Sequence, residues 1–476
     1  MDKKELEQRL LIGFPFEPTA DQKTVIRHIA AFHLSDVKNP LYLLKGYAGT
    51  GKTTIVSTYV KEILKLKQRF VLMAPTGRAA KVLNQYTGFK AYTIHRYIYS
   101  IRTDTSGKTK ILLNNNKLSG AVFIVDEASM IGDTTSGHDN FSNRSLLDDL
   151  LSFVYSQPDN RMILIGDTAQ LPPVGLNISP ALNLQYLKSI FNVTAYSFEM
   201  KTVMRQALNS GILLSATAIR QKIENEDFSL PLLDKKLFKN DVKHIHDAME
   251  LQDYFQKYFY GENSKNSIVI CRSNKRANLY NGQIRNRILQ RENELEAGDL
   301  LMVVKNNYYW LKSGSKAGFI ANGDIVEVMR VLGIYENYGF RFAEAEIKLL
   351  DYPDEKNVQV MLLLNTIFSE KANLDYNEMN KLFEALRDEY AFLGSKTKIL
   401  AAIKNDLHYN ALQVKFSYAM TCHKTQGGQW DNVFVDKGYL PEEQINKEYL
   451  RWLYTAFTRA TKHLFLLGFK DLENNK

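Results

Sequence analysis

Cysteine is nearly missing from this chain: among 476 residues only Cys271 and Cys422 occur, far apart and without metal-ligand spacing. That excludes a disulfide framework and a cysteine-built metal site, and it predicts reduced thiols in a cytoplasmic protein. No apolar run reaches the ~18 residues a helical membrane span needs, so no membrane partner is expected. The opening residues MDKKELEQRL alternate in charge and lack the apolar core of a signal peptide. Internal repeats, low-complexity tracts and long charge runs are absent too, which leaves no sign of a repeat array or a disordered tail.

What is present is material for several cores. Apolar residues make up 45% of a chain too long for one compact core, which predicts about two to four domains. A formal charge of +9 suits a polyanionic partner, although many enzymes are mildly basic.

The most informative stretch runs from Leu41 to Thr54, LYLLKGYAGTGKTT. Leu41 to Leu44 read as a short buried strand, and Ile55, Val56, Tyr59, Val60, Ile63 and Leu64 recur at helical spacing. Between them, Gly46-x-x-x-x-Gly51-Lys52-Thr53 has the spacing of a phosphate-cradling loop in its required strand–loop–helix context. Backbone amides from Gly46 through Ala48, Gly49, Thr50, Gly51 and Thr54 can turn inward on a triphosphate, helped by the helix N-terminus. Lys52 would reach the β- and γ-phosphates of ATP, and the Thr53 hydroxyl would ligate Mg2+.

A second apolar strand, Ala121 to Val125, delivers Asp126-Glu127. Asp126 would hold magnesium through water, and Glu127 would orient and deprotonate the attacking water. A kinase needs no such second carboxylate, so Glu127 tilts the reading to hydrolysis. A further strand, Met162 to Ile165, ends in GDTAQLPPVG, where Gln170 can sense the γ-phosphate on a loop stiffened by Pro172 and Pro173. These strands make a parallel α/β sheet whose C-terminal edge gathers Lys52, Asp126 and Gln170. Arg205 follows near a domain junction.

Other stretches carry two readings each. Thr19 and Gln22 have the spacing of a capping box, while the Gln22 amide could equally read an adenine edge. Phe70 to Ala74 is a buried strand ending in Pro75-Thr76-Gly77-Arg78-Ala79-Ala80-Lys81; Arg78 and Lys81 face phosphates or simply solvent. Thr93-Ile94-His95 closes a short segment in which a lone histidine is ordinarily structural. From Tyr97 to Leu113, Tyr97, Tyr99 and Ile101 alternate with polar residues around the turn Asp104-Thr105-Ser106-Gly107, predicting a β-hairpin that is either a wedge or a decorative insertion. Residues 133 to 145 read as a loop. Ser267 to Cys271 begins a strand–helix unit with Lys275, Arg276, Arg285 and Arg287 on a basic face whose plainest reading is solvation. Short strands near 299–304, 324–331, 340–349 and 358–364 suggest a small barrel. A helical block at 369–408 follows, and Val414 to Tyr418 returns to the earlier sheet. Finally, a helix carries LYTAFTRA, where Arg459 inside apolar surroundings demands either a structural carboxylate or a γ-phosphate.

In order and spacing these stretches resemble the motif set of superfamily 1 helicases. The match is to the RecD-like and Dda-like branch (superfamily 1B), which moves 5′ to 3′ on single-stranded DNA. The residues carrying it are Gln22, GYAGTGKTT, APTGRAAK, Thr93 to His95, VDEAS, GDTAQLPPVG, VMRQ, CHKTQGGQWD and LYTAFTRA, spanning positions 22 to 460. The resemblance implies two RecA-like domains facing across an ATP cleft, 1–205 and 206–295 with 413–476. It also implies a strand-separating pin at 97–117 and an SH3-like barrel with helical extension at 296–412. It gives Gln22 the adenine role and makes Arg205 and Arg459 γ-phosphate contacts. Pro75, Thr76, His95, Tyr97, Tyr99, His423 and Lys424 fall in DNA-facing, pin or coupling segments. With the phosphate loop starting at 46, the compact form of the branch is expected. The implied partners are single-stranded DNA and single/double-strand junctions, with replication or repair proteins as candidates, for a monomeric cytoplasmic enzyme. Two rivals remain at this point: a translocase that strips proteins without separating strands, and a regulatory P-loop ATPase acting on protein.

Overall fold

The computed structural model describes residues 2–103, 109–133, 145–204, 209–229, 238–311, 315 and 317–469. Its first sheet has six strands: β1 (Pro40–Gly46), β2 (Phe70–Ala74), β3 (Ala91–Thr93), β4 (Val122–Val125), β5 (Arg161–Gly166) and β6 (Thr194–Met200). They lie in the order β3–β2–β4–β5–β1–β6 and all run parallel. Both faces are covered, so the strands are apolar almost without break. Alternate residues feed two cores: Leu41, Leu43, Phe123, Val125 and Leu164 pack on one side. Tyr42, Leu44, Val122, Ile124 and Ile163 pack on the other.

Helix α1 (Ala20–His33) starts at the predicted capping box, with both the Thr19 and Gln22 side chains engaged. Helix α2 (Lys52–Lys65) follows the phosphate loop. Its N-cap, Gly51, has φ +89°, a left-handed conformation that glycine takes without strain. Ile55, Val56, Tyr59, Val60 and Ile63 are buried as their spacing predicts. Leu64, at the edge of that stripe, is 48% exposed. Helix α3 (Gly77–Thr87) leaves β2 from the N-cap Thr76.

The predicted hairpin forms from strands Tyr99–Thr103 and Thr109–Leu113, paired antiparallel. Its turn at 104–107 lies outside the described residues, as do most of loop 133–145 and Arg205. Tyr97 is not on the hairpin strand: it belongs to the short helix Ile94–Ile98.

A second parallel sheet runs in the order Ala419–Thr421, Ser267–Cys271, Trp430–Asp436, Ala460–Leu467, Val242–Ile245. Between its strands in sequence sits a closed five-stranded barrel of Leu300–Val303, Ile325–Asn337, Phe340–Leu349, Val358–Leu363 and Leu412–Phe416. The last of these corrects the expectation for Val414 to Tyr418. An apolar run signals burial but not which sheet it joins, and Leu412–Phe416 closes the barrel against Leu300–Val303 and Val358–Leu363. The helical block packs Leu382, Leu386 and Ile403 onto Phe342 and Leu363 of the barrel.

The basic face after Cys271 is not simply solvated. Arg276 pairs with Asp436. Arg285 is buried and clamps Asp299 through Nε and Nη2 at 2.9 Å each, and Arg291 adds a third contact at 2.8 Å. This network joins the turn Ile284–Ile288, which continues the helix Asn274–Gln283, to the start of the barrel. Helix α4 (Lys447–Phe457) ends at Phe457, so Arg459 sits at the junction between helix and strand and not inside the helix. No helix among the described residues is long and apolar enough to cross a membrane.

Candidate active site

Because β4, β5 and β1 are neighbours, their C-terminal ends set three loops side by side, about one strand spacing apart. The loops carry Asp126-Glu127, Asp167 and the phosphate loop, respectively. Loop donors and acceptors are paired: Lys52 Nζ donates to the carbonyls of Gly46 (2.6 Å) and Tyr47 (2.9 Å). Thr50 Oγ1 donates to Tyr47 O at 2.8 Å.

Gln22 completes the cap and also bonds the phosphate loop. Its Oε1 accepts from Thr19 N at 2.9 Å, completing the cap, and its Nε2 donates to Thr50 O of the phosphate loop at 3.0 Å. Beside it lies a cavity of about 470 Å³ lined by Phe16, Pro18, Gln22, Thr202, Val203 and Met204, among others. Asp21 fixes one wall by accepting from the Lys201 and Thr202 amides at 2.8 Å each. Met204 N donates to Gly49 O at 3.0 Å, so this cavity adjoins the loop.

Burial, and then the like charge of Glu127, push the Asp126 carboxyl up to about 6. Glu127 holds φ +53°, a strained conformation for a residue with a side chain, costing about 1–3 kcal/mol and found disproportionately at functional sites. Asp126, Glu127 and Asp167 outnumber Lys52 at this edge. Such a donor set fits a divalent cation, and Mg2+ typically takes only one or two protein ligands beside phosphate oxygens. Asp126 and Thr53 are the residues that would hold it, and the ion would supply charge neutralisation for the phosphates. Among the described residues no cluster of three or more His, Cys, Asp or Glu forms a self-sufficient metal site.

Gln170 is 7% exposed, and its Oε1 is buried without a hydrogen-bond partner among the described residues. Arg459 is 3% exposed and donates to the carbonyls of Thr455 and Gly428, both at 3.2 Å. Its Nη1 also lies 3.8 Å from Glu127 Oε1. The arginine therefore reaches across from the second sheet to the carboxylate assigned to water activation, and its structural carboxylate is Glu127 itself.

The sequence reading missed the residues that stitch this edge to α4. Tyr454 donates to Asp167 Oδ2 at 2.6 Å and accepts from Ala48 N at 2.7 Å. Thr455 Oγ1 accepts from Leu171 N at 2.9 Å, and Gln426 Nε2 donates to Leu171 O at 2.6 Å. The signal was available for two of them. Asp167 follows an apolar strand just as Asp126 does, and a phenol in an apolar helix needs a partner as much as a guanidinium does.

The residues given to DNA are distributed unevenly. Thr76 caps α3 through a bond from Ala79 N. Gly427 lies so close that a Cβ there would meet Ala79 Cβ at 2.8 Å and Thr76 Oγ1 at 2.9 Å. The two predicted DNA segments thus touch each other. Arg78 and Lys81 both have partners: Arg78 stacks on Trp430 at 3.9 Å, and the partly exposed Lys81 reaches Leu350 O at 3.2 Å and Asp351 at 3.6 Å. Lys424 Nζ is buried without a hydrogen-bond partner among the described residues, and burial, then Lys415, push it down to about 8. His423 lines a cavity of about 170 Å³ with Arg272, Glu448 and Trp452. Burial lowers His95 to about 4, and its ring lies 5.9 Å from that of Tyr99. Tyr97 and Tyr99 do not form a free aromatic stripe. Tyr97 packs on Phe123 and Phe153 of the core, and the Tyr99 hydroxyl donates to Asp149 at 2.7 Å. Both root the hairpin to the core of the first domain, Tyr97 against the sheet residue Phe123 and Tyr99 on the helix Leu146–Val154, because the chain turns inward at the helix Ile94–Ile98.

Two family models match the chain: an AAA domain over residues 30–176 and a UvrD-like helicase C-terminal domain over residues 416–467. The ATP-dependent DNA helicase dda of Enterobacteria phage T4 is 24% identical, covering 82% of this chain and 86% of that protein. The ATP-dependent RecD2 DNA helicase of Deinococcus radiodurans is 34% identical over 37% of this chain and 21% of its own length. A solved Pif1 helicase from Bacteroides, in complex with ADP-AlF3 and single-stranded DNA, is 15% identical and covers 95% of this chain and 92% of its own, with a TM-score of 0.43.

Proposed function

We infer that this chain is an ATP-driven DNA helicase of the RecD-like and Dda-like branch of superfamily 1B, a reading supported by the matches to both family models and to the phage and Deinococcus helicases. The observation that carries the reading is the strand-end edge. The phosphate loop, Asp126-Glu127 and Asp167 stand side by side on one RecA-like domain, and Arg459 of the other lies 3.8 Å from Glu127. A nucleotide between them would be held by Lys52, Thr53 and the loop amides, with its base in the cavity beside Gln22. Glu127 takes the proton of the attacking water, and Arg459, with Arg205 as its proposed companion, shifts from Glu127 to the γ-phosphate. Gln170, with its unpartnered buried oxygen, is the proposed sensor on the adjoining loop.

The first domain is proposed to span 1–205. The second is proposed to begin at 206 and, given the closing barrel strand, to resume after Phe416 and not at 413. The barrel is proposed as the SH3-like module, and the hairpin within 97–117 as the pin. DNA contacts are proposed at Pro75, Thr76, His95, His423 and Lys424, where a phosphate would relieve the buried ammonium of Lys424. Tyr97 and Tyr99 are reassigned to supporting the pin. Movement is proposed to run 5′ to 3′, and the substrate to be a single/double-strand junction. Both cysteines are free and buried, which suits a reducing compartment such as the cytoplasm.

Lys52→Ala tests the nucleotide site. ATP hydrolysis stimulated by single-stranded DNA should fall by about 10²–10³-fold or more, while DNA binding measured by anisotropy persists. Retained turnover would remove the assignment.

A further inference from the structure

We infer that the Tyr454 hydroxyl is a positioning group that competes with nucleotide for the Ala48 amide of the phosphate loop, so that filling the loop releases α4. The inference rests on the ATPase reading above.

Helix α4 is apolar where it is buried, through Leu453, Ala456 and Phe457, yet Tyr454 is 1% exposed in the middle of it. A phenol removed from water needs both a donor and an acceptor. Tyr454 finds both across the domain seam. The Ala48 N–H donates to its oxygen at 2.7 Å, and its own proton goes to Asp167 Oδ2 at 2.6 Å. Ala48 lies inside the Gly46–Thr53 loop, and Asp167 closes the neighbouring strand β5. One atom of the second domain is therefore bonded to both halves of the nucleotide edge of the first.

An amide has a single proton to give. A phosphate oxygen carries charge and is a stronger acceptor than a neutral phenol, so the two acceptors are exchanged, not shared. Giving up Ala48 loosens the hold on α4, which also carries Thr455, bonded to Leu171 N at 2.9 Å, and runs directly into Arg459. The exchange gives a physical link from loop occupancy to the arginine that crosses the cleft. It also has a thermodynamic consequence. A bond that must break before nucleotide is fully seated lowers nucleotide affinity by its own free energy.

Tyr454→Phe keeps the ring packing and deletes both bonds. Calorimetric affinity for a non-hydrolysable ATP analogue should tighten by roughly five- to tenfold, the weight of one buried hydrogen bond. KM for ATP should fall with it, and DNA-stimulated kcat should fall because α4 no longer reports on the loop. Unchanged or weaker affinity, even with a lower melting temperature, would make the hydroxyl merely structural and overturn the inference. A second readout needs no variant. With ¹⁵N-alanine labelling, the Ala48 amide resonance of the wild-type chain, assigned by its loss in Ala48→Gly, should move strongly on saturation with the analogue. A resonance that does not respond would also overturn it. If the wild-type chain binds no nucleotide, the ATPase reading itself fails and takes this inference with it. Binding without the gain in Tyr454→Phe removes this inference alone.

Discussion

Two of the seams between the first domain and the rest of the chain are built differently. At the nucleotide seam, α4 and the Gln426 loop meet the strand ends through short bonds in which donor and acceptor are matched: Tyr454 with Ala48 and Asp167, Thr455 and Gln426 with Leu171. At the barrel seam, Asp324 and Asp351 are pressed against the start of α3, and one oxygen of each is buried with no partner among the described residues. A Cβ on Gly77 would sit 2.7 Å from Asp324 Oδ1. Burial, and then the charge of Asp351, push Asp324 well above the usual carboxylate range. A helix N-terminus favours a full negative charge, and a carboxyl held toward its neutral form does not supply one. The first seam is matched at Tyr454, Thr455 and Gln426, while Gln170 Oε1 beside them has no partner among the described residues, and it can transmit a signal. The second carries unmet polar groups and is the one expected to yield when DNA reaches α3.

The largest effect should come from Glu127→Gln, which leaves the matched seam in place and removes its chemistry. DNA-stimulated kcat should drop by about 10²–10⁴-fold, with affinity for an ATP analogue retained; a matched loss of affinity would mean that Glu127 mainly holds Arg459 in place.

If the barrel parts from α3, its other side must hold. Arg285 and Arg291 grip the buried Asp299 there. Asp299→Ala leaves two guanidinium groups without their carboxylate and should cost about 3–5 kcal/mol in denaturant unfolding. A cost near zero would show that the barrel is not anchored to the second domain in this way.

Gly427→Ala acts where the second domain touches α3. Its φ is +72°, and the added Cβ would collide with Ala79 and Thr76. Strain of about 1–3 kcal/mol should lower DNA-stimulated turnover about tenfold or more, with little change in turnover without DNA. Equal losses in both would place the glycine outside the DNA response.

The smallest effect is a pH dependence. A carboxyl whose folded pKa is raised binds more protons folded than unfolded, so its stabilising share is complete below the unfolded value near 3.8 and is lost as pH rises through the folded value. Wild-type melting temperature should therefore carry a downward slope above pH ~4 that Asp324→Asn flattens. An unchanged slope would remove Asp324 from the weak seam.

The contrast also explains what could be read from the sequence. Groups bound to a local pattern were legible: the phosphate loop between strand and helix, Asp126-Glu127 at a strand end, the Thr19–Gln22 cap, four of the five barrel strands. Groups whose role depends on docking were not. Nothing near Tyr454 in sequence announces Ala48, which is 406 residues away. The apolar run Leu412–Phe416 looks the same whether it enters a sheet or closes a barrel. Tyr97 and Tyr99 have the alternation of a hairpin face, but a single helical turn before the strand directs Tyr97 into the core. Arg459 was recognised by the cost of burying its charge, and the same reasoning applied to buried hydroxyls would have reached Tyr454.

The central claim is that this edge drives strand separation, and it is tested most directly on two matched duplexes, one with a 5′ and one with a 3′ single-stranded overhang, incubated with the protein, ATP and Mg2+. The account predicts displaced strand from the 5′-overhang duplex, little from the 3′-overhang duplex, and none from either with Lys52→Ala. DNA-stimulated ATP hydrolysis without displacement from either duplex would contradict it.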